Sequence, residues 1–490
     1  MRLDEYQWSR NPRGLHNIGA FMRPLDITRY SRPQFGWAKL VSENVEFVED
    51  AATLLAQNIT PVVRVYLTPE QNAQPLAQQA YSLVAAYAAV GVKWFELYNE
   101  PNLPVEWPGG TQVDYRNTGM IASLVDRWMT WAEYVASLGC YPGFISLAET
   151  DVPALATVRW VDALFGYVAQ AYYQRFVALL NNGLWYATHP YVLNHFYQEV
   201  PGGGPTSARP AEGLNNREPG WHFEYPYDPI CQASDPGRTV YGGTPQTPNG
   251  DPVGLIATGM FMNERSSALF GSQAVPVLGT EGGIDLPDVF GGEIQRDIRY
   301  PPATQFSNGQ GTVAMFEWSA LNAPAWFFGS CIWKEDLYYR HGGYALEQLE
   351  RIAPIYKNVP AVEVMGGGGQ FVSAPTLPPP GPGPIHGAPN FHMVLLAPGL
   401  EARWFFDTAF AYWSVFRPIV TTFADWPNYF NYTRSLAITV IATPESADLM
   451  RESISAAYPN ILFDLIVVED NLDSVAQLLN ARAQRNARFG

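Results

Sequence analysis

The stretch WFELYNEPNLP, residues 94–104, decides the fold. Trp94, Phe95, Leu97 and Tyr98 favour an extended strand, and Pro101 lacks both the N–H and the φ freedom to continue a ladder or a helix. The reading is a strand that stops at Asn99-Glu100-Pro101 and carries a carboxylate at its C-terminal tip. Barrels of parallel strands keep their chemistry at that end. The remaining question is whether the chain on either side supplies such a barrel.

Upstream, an Ala-rich helix over 75–90 ends at Gly91, a C-cap residue, and hands over to the strand. The run PVVRVYL at 61–67 predicts strand three. Val45, Val48, Ala52 and Leu55 recur at helical spacing and predict a helix over 45–57. Strand two is read at 38–41 and strand one at 14–21. Downstream, a helix over 119–138 precedes strand five at 144–148, which runs into Glu149-Thr150-Asp151. A long helix at 154–181 leads to strand six at 184–189. A helix at 254–270 precedes strand seven at 275–280, which runs into Glu281-Gly282-Gly283. Helices at 312–322 and 345–356 flank strand eight at 325–333. Eight strand–helix units predict a closed (β/α)8 TIM barrel, an α/β fold, over residues 1–364.

Two stretches break the rhythm. Residues 197–254 are rich in Gly and Pro with aromatic islands, an insert long enough to be either functional or disordered, and in a barrel expected on the catalytic face as a substrate wall. Residues 365–389 hold four consecutive glycines and the run PTLPPPGPGP, which reads as an extended linker. Beyond it, 390–490 reads as a small α/β domain, with strands at 391–396, 435–442 and 461–468 and helices at 444–458 and 471–485. The aromatic stretch 404–432 is expected to pack within that domain or against the barrel. No Gly-rich phosphate loop follows any of its strands, so nothing points to a nucleotide.

Bulk properties narrow the function. The 490 residues are 47% hydrophobic and 16% charged, a globular composition long enough for one large and one small domain. A formal net charge of −16 argues against nucleic acid and anionic membranes, both of which need a basic surface. Cys140, Cys231 and Cys331 lie far apart and define neither a disulfide framework nor a zinc pattern, and the seven histidines show no HxxxH spacing. The N-terminus lacks an apolar core of a signal peptide, and no run of eighteen apolar residues exists. A soluble protein is expected, cytoplasmic as written or extracellular if a signal was removed. Aromatic residues make up 14%, with 15 Trp and 27 Tyr, enough to supply both core rings and flat platforms for pyranose rings.

Glycosidic cleavage needs two carboxyl groups, one to protonate the leaving oxygen and one to attack the anomeric carbon or activate water. Glu100 and Glu281, at the tips of strands four and seven, face each other across the mouth of a closed eight-stranded barrel. Arg64, in the middle of strand three, cannot be buried unpaired, and its simplest partners are Glu96 and Glu281. Glu96 shares the parity of Glu100 but sits deeper, so it reads as structural. Glu149 and Asp151, after strand five, compete as active-site carboxylates. His16 after strand one and Trp107 after strand four are candidate subsite contacts.

FELYNEPNLP resembles the FE-x-WNEPN strands of clan A glycoside hydrolases, closest in style to families 39, 51 and 5, with Tyr98 in place of the usual Trp. The likeness covers about 12–355. It implies that Glu100 is the general acid/base, that Glu281 is the nucleophile, and that Asn99 hydrogen-bonds the sugar 2-hydroxyl. It also implies that His189 or Tyr191 bonds the nucleophile and that Trp333 forms the aromatic floor beneath the sugar. The outcome implied is a retaining β-glycosidase for a neutral polysaccharide or oligosaccharide, with no cofactor or metal. A catalytically silent barrel that binds carbohydrate or builds a surface assembly is the alternative. A metal-dependent barrel hydrolase is disfavoured because no His pair stands at a strand end with ligand spacing. The sugar, endo or exo action and the oligomeric state are not legible.

Overall fold

The computed structural model describes residues 1–17, 25–70, 76–204, 207–287, 296–364, 391–398, 400–422, 436–457, 462–468 and 471–489. Eight parallel strands close into a barrel: β1 (Arg13–His16), β2 (Trp37–Ser42), β3 (Thr60–Val65), β4 (Trp94–Leu97), β5 (Tyr141–Phe144), β6 (Trp185–Thr188), β7 (Val277–Gly279) and β8 (Phe327–Ile332). Each is bonded to its neighbours in sequence, and β8 closes on β1. The fold is therefore a closed (β/α)8 barrel, as the strand–helix alternation predicts. Closure satisfies every strand edge and leaves the loops after each strand at one mouth. In this register Arg64 of β3 lies opposite Glu96 of β4.

Local sequence explains most element ends. The Asn117 side chain accepts the Met120 N–H and starts the helix Thr118–Ser137. Gly91, at φ 103°, follows the helix Gln78–Ala89 as the pattern required.

Elsewhere tertiary context overrides the pattern. β5 spans Tyr141–Phe144 and not 144–148, because pairing with β4 and β6 outweighs the poor strand character of Pro142 and Gly143. The helix expected at 312–322 starts at Gln305, where Thr304 and Ser307 form a reciprocal cap. Two glycines had hidden that start. A Cβ at Gly309 would fall 2.2 Å from the Tyr344 ring and one at Gly311 2.8 Å from Phe196, so close packing, not flexibility, selects them. The helix expected at 154–181 is two, Thr157–Ala171 and Tyr173–Asn181, and that at 345–356 is Glu335–His341 with Gly343–Arg351. Positions 18–21 of strand one and the 365–389 linker lie outside the described residues.

The described residues of the insert form regular structure. Tyr197–Gln198 pairs antiparallel with Trp221–His222, and Asp228 caps the helix Pro229–Ser234 while accepting the Tyr300 hydroxyl at 2.9 Å.

Residues 391–490 build most of a second compact unit. Strands β9 (Phe391–Leu396), β10 (Ile419–Thr422), β11 (Leu436–Ala442) and β12 (Leu462–Val467) form a parallel sheet in the order β10-β9-β11-β12. Separate apolar clusters form around its buried residues, one with Met393, Ile438 and Met450, the other with Val394, Phe405 and Leu479. The stretch 404–432 is more than packing. Its described part contributes the helices Ala402–Thr408 and Phe410–Phe416 and the edge strand β10.

At the N-terminal end of the barrel the core is aromatic. Trp37, Trp94, Trp185 and Phe328 come from the four even-numbered strands, the layering that a closed eight-stranded barrel imposes. The Trp94 ring lies 5.0 Å from Trp37, 5.3 Å from Trp185 and 6.0 Å from Phe328. Tyr6 and Trp8 close the layer from below, at 5.7 Å from Trp94 and 4.6 Å from Phe328. We expect Trp94→Ala to lower the stability of the barrel by about 3–5 kcal/mol, measured by urea denaturation. A loss under about 1 kcal/mol would mean that the ring is not central to the core.

Candidate active site

β4 ends at Leu97, and the next residues are tightly constrained. Tyr98 and Glu100 both have left-handed backbone, at φ 67° and 32°. Non-glycine residues hold such geometry only where surrounding bonds impose it. Here the Leu103 N–H donates to the Glu100 carbonyl at 2.8 Å and the Trp107 indole N–H to the Pro101 carbonyl at 2.7 Å. Asn102, fully buried, donates to the carbonyls of Ala148 and Leu155 and accepts the Ala148 N–H. The Glu100 side chain is thereby aimed by its backbone.

Glu281 follows β7 and is 5% exposed. Gly282 lets the chain turn away at once, with φ 139° and room for no Cβ against the Pro190 backbone. Its carboxylate accepts the Tyr191 hydroxyl on Oε1 at 2.7 Å and the Arg64 Nη1–H on Oε2 at 3.2 Å. His16 Nε2 stands 3.7 Å from Oε2. Burial opposes a charge here, but the Arg64 guanidinium and the hydrogen bond from the Tyr191 hydroxyl outweigh it. The Glu281 carboxyl therefore lies below the ordinary carboxylate range.

Arg64 connects the two carboxylates. Its Nε–H donates to Glu96 Oε1 at 2.5 Å and its Nη2 lies 2.8 Å from His189 Nε2. A guanidinium can only donate, so that imidazole nitrogen accepts and Nδ1 carries the hydrogen. Nδ1 in turn donates to Glu100 Oε1 at 2.6 Å. Glu96 also accepts the ammonium of Lys39, a fully buried lysine on β2. Burial, reinforced by the charge of Arg64, pushes Lys39 well below the usual lysine range.

Among the described residues, one oxygen of Glu100, one of Glu281 and one nitrogen of His189 lie within 4.8 Å of one another. Carboxylate and imidazole donors are metal-ligand types. Here, however, both His189 nitrogens are engaged and a guanidinium already bonds Glu281, so the donor set suits an organic substrate better than a divalent cation.

A cavity of about 460 Å³ opens above this cluster, with Glu100, Glu149, Tyr191, Asp285, Arg296 and Trp333 in its wall. Of the insert's described residues, Val253 reaches that wall. Trp333 is half-buried, 4.5 Å from the His16 ring. His16 is buried, and burial lowers its imidazole well below the usual histidine range, so it is neutral at neutral pH. Asn99 donates to Glu106 Oε1 at 2.8 Å, while its own Oδ1 is buried without a partner.

Thus Glu100, Glu281, Arg64, His189, Tyr191 and His16 are brought together, with Trp333 at the rim. Trp107 is 4% exposed and holds the Asn-Glu-Pro turn, outside the residues that line the cavity. Asp151 is exposed, whereas Glu149 is in the wall. Arg64 takes both of its expected partners. Sequence reasoning missed Lys39, Asn102 and Glu106. Lys39 left a signal, a charge inside the apolar strand WAKLV, whereas Asn102 and Glu106 sit in a turn where polar residues are ordinary.

No family model and no curated protein matches the sequence. Among solved structures, the chain is similar at 10% identity to a beta-glucosidase from Thermotoga maritima in complex with glucoimidazole, over 63% of this chain and 76% of that one, with a TM-score of 0.31. A family 1 beta-glucosidase from Thermotoga maritima matches at 10% identity over the same shares, with a TM-score of 0.30. A GH113 beta-1,4-mannanase complex matches at 9% identity over 70% of this chain and 98% of that one, with a TM-score of 0.28. Likenesses this distant fix neither a family nor a substrate. Among the described residues no helix is long and apolar enough to cross a membrane.

The shared role of Glu96 orders the cost of removing its neighbours. Glu96→Leu strands Lys39 and takes from Arg64 one of its two carboxylate partners, and is expected to cost about 3–5 kcal/mol. Lys39→Met leaves Glu96 paired with Arg64 and should cost clearly less. Denaturation of the two variants side by side checks the order. Equal losses would show that Lys39 and Arg64 do not depend on Glu96 in the same way.

Proposed function

We propose that the protein is a retaining β-glycoside hydrolase acting on a neutral polysaccharide or oligosaccharide, with Glu281 as nucleophile and Glu100 as general acid/base. The observation that carries this reading is the approach of the two carboxylates to within 4.8 Å in opposite surroundings. Retaining enzymes separate their carboxyl groups by about 5–5.5 Å, and inverting ones by about 6.5–9.5 Å to admit a water. Glu281, with a guanidinium and a phenol donating to it, is held ionised as a nucleophile must be. Glu100 has His189 on Oε1, which leaves Oε2 to carry a proton, and it forms part of the cavity wall.

The reaction follows from these roles. Glu281 attacks the anomeric carbon as Glu100 gives its proton to the glycosidic oxygen, and the leaving sugar departs. A glycosyl ester on Glu281 remains. Glu100, now a carboxylate, takes a proton from water, which attacks the same carbon, frees Glu281 and restores the original anomer. The unpartnered Oδ1 of Asn99 can accept the 2-hydroxyl, a contact that strengthens as positive charge develops at the ring. Trp333 offers an aromatic surface to the apolar face of the sugar.

A panel of aryl β-glycosides and soluble β-glucans, mannans and xylans tests the reading, with Glu100→Gln and Glu281→Gln alongside. We expect both variants to lose about three orders of magnitude or more in kcat/KM, and NMR of the first product to show the substrate's anomer. Activity that survives both substitutions would overturn the site. An inverted product would overturn the double displacement.

Glu281 being held below the carboxylate range also fixes a pH expectation. It stays ionised across the working range, so the acid limb of kcat/KM belongs to another group. Arg64→Met removes one of the charges that hold Glu281 ionised, and an acid-side loss should then move to higher pH. An acid limb in the same place in both proteins would show that Glu281 still titrates below the limiting group without Arg64.

A further inference from the structure

Glu149 is a half-buried carboxyl in the cavity wall that the mechanism above leaves without a role. It follows β5, between two residues that are tied down on either side. Ala148 exchanges two hydrogen bonds with Asn102, each 2.9 Å, and its carbonyl also accepts the Thr157 hydroxyl at 2.6 Å. The Thr150 N–H donates to that same hydroxyl at 2.9 Å. Held this way, the Glu149 side chain crosses to the loop after β6, where its Oε2 accepts the Tyr191 N–H at 3.1 Å. The same Tyr191 N–H also donates to the His189 carbonyl at 2.9 Å within a three-residue turn, so Glu149 is its side-chain acceptor beside a backbone one. The hydroxyl of the same tyrosine donates to Glu281.

We propose that Glu149 is a positioning residue, whose carboxyl fixes the Tyr191 main chain so that the Tyr191 hydroxyl stays on the nucleophile Glu281. The link runs from the acid/base turn to the nucleophile through three adjacent loops. Asn102, two residues after Glu100, holds the loop of Glu149, Glu149 holds Tyr191, and Tyr191 holds Glu281. The separation of the two catalytic carboxyls is thereby set by hydrogen bonds rather than by loop length alone. Among the described residues no basic side chain pairs with Glu149, and its Oε1 is buried without a partner. Burial first, with the charges of Asp251, Glu100 and Glu224 adding to it, pushes the Glu149 carboxyl well above the ordinary range. A protonated carboxyl accepts through its carbonyl oxygen, as a glutamine amide does. Glutamine is therefore the conservative replacement, and alanine removes the acceptor.

The role in catalysis rests on the hydrolase reading, whereas the geometric dependence does not, and a two-part experiment separates them. Crystal structures of Glu149→Gln and Glu149→Ala report the Tyr191–Glu281 hydrogen bond directly. We expect it kept in the glutamine variant and broken in the alanine variant. A bond that survives in the alanine variant overturns the proposal whatever the kinetics.

The second part is a double-mutant cycle on the hydrolysed substrate, with Glu149→Ala, Tyr191→Phe and both together. We expect each single change to lower kcat about tenfold or more with little change in KM, and Glu149→Gln to recover most of the alanine loss. In the Tyr191→Phe background Glu149→Ala should add little, because both act through the same hydroxyl. Additive losses, or no rescue by glutamine, would overturn the proposal while leaving the hydrolase reading intact. If the wild type hydrolyses nothing yet the bond breaks only in the alanine variant, the hydrolase reading falls and the positioning role stands.

Discussion

Arg64 is the side chain on which the site depends. It is buried on β3 and bonded to Glu96, Glu281 and His189. A guanidinium cannot shed its proton, so a barrel that buries one must surround it with acceptors. Two carboxylates and an imidazole do so, and each of the three is drawn into place by the same cation. Glu96 is fixed below, Glu281 above and His189 to the side. The orientation and ionisation of Glu281 are thus consequences of solving one burial problem. The dry aromatic layer at the other end of the same strands strengthens every one of these contacts, because little water is present to screen them.

Glu100 and Glu281 differ because their neighbours differ. Glu281 is served by donors on both oxygens, which favours the ion. Glu100 stands in a turn with left-handed backbone at Tyr98 and again at Glu100 itself, conformations that typically cost about 1–3 kcal/mol each. The bonds of Asn102, Trp107 and Leu103 offset that cost and leave the side chain at the cavity wall with one histidine contact. The same histidine accepts from Arg64, so the tautomer that hydrogen-bonds Glu100 is dictated by the cation that holds Glu281. A change in charge at one carboxyl is therefore felt at the other through His189.

Much of this was legible in the sequence, for identifiable reasons. Closed barrels repeat one unit, so eight strand–helix alternations identify the fold even where single boundaries are wrong. Glu100 and Glu281 were readable because Pro101 and Gly282 end their strands and mark the carboxylates as tip residues. β5 was misplaced because its Pro142 and Gly143 carry no strand signal and are extended only through their barrel neighbours. The helix from Gln305 was shortened because Gly309 and Gly311 were selected by Tyr344 and Phe196, residues distant in sequence. Lys39 was missed because alternation shows which residues point into a barrel, not which of them will find a carboxylate there. The helices at 402–416 were missed because every face of that stretch carries aromatic residues, so no period stands out.

The barrel divides its labour between its ends. At the N-terminal end Tyr6 and Trp8 plug the strands, and two polar atoms of the layer find backbone acceptors while the Trp8 indole N–H is buried without one. The Trp94 indole N–H donates to the Gln7 carbonyl at 2.8 Å and the Tyr6 hydroxyl to the Leu184 carbonyl at 2.8 Å. That closure lets the layer above it carry Lys39, Glu96 and Arg64, which would be hydrated and weakly coupled in a barrel open below. The C-terminal end can then present strained backbone and concentrated charge, because its stability is supplied elsewhere in the same strands. Along β4 and the turn that follows it the order is Trp94, Glu96, Glu100. An aromatic floor is followed by a charge that orients Arg64 and then by a carboxyl at the cavity wall, so a single strand runs from the stability of the molecule to its chemistry.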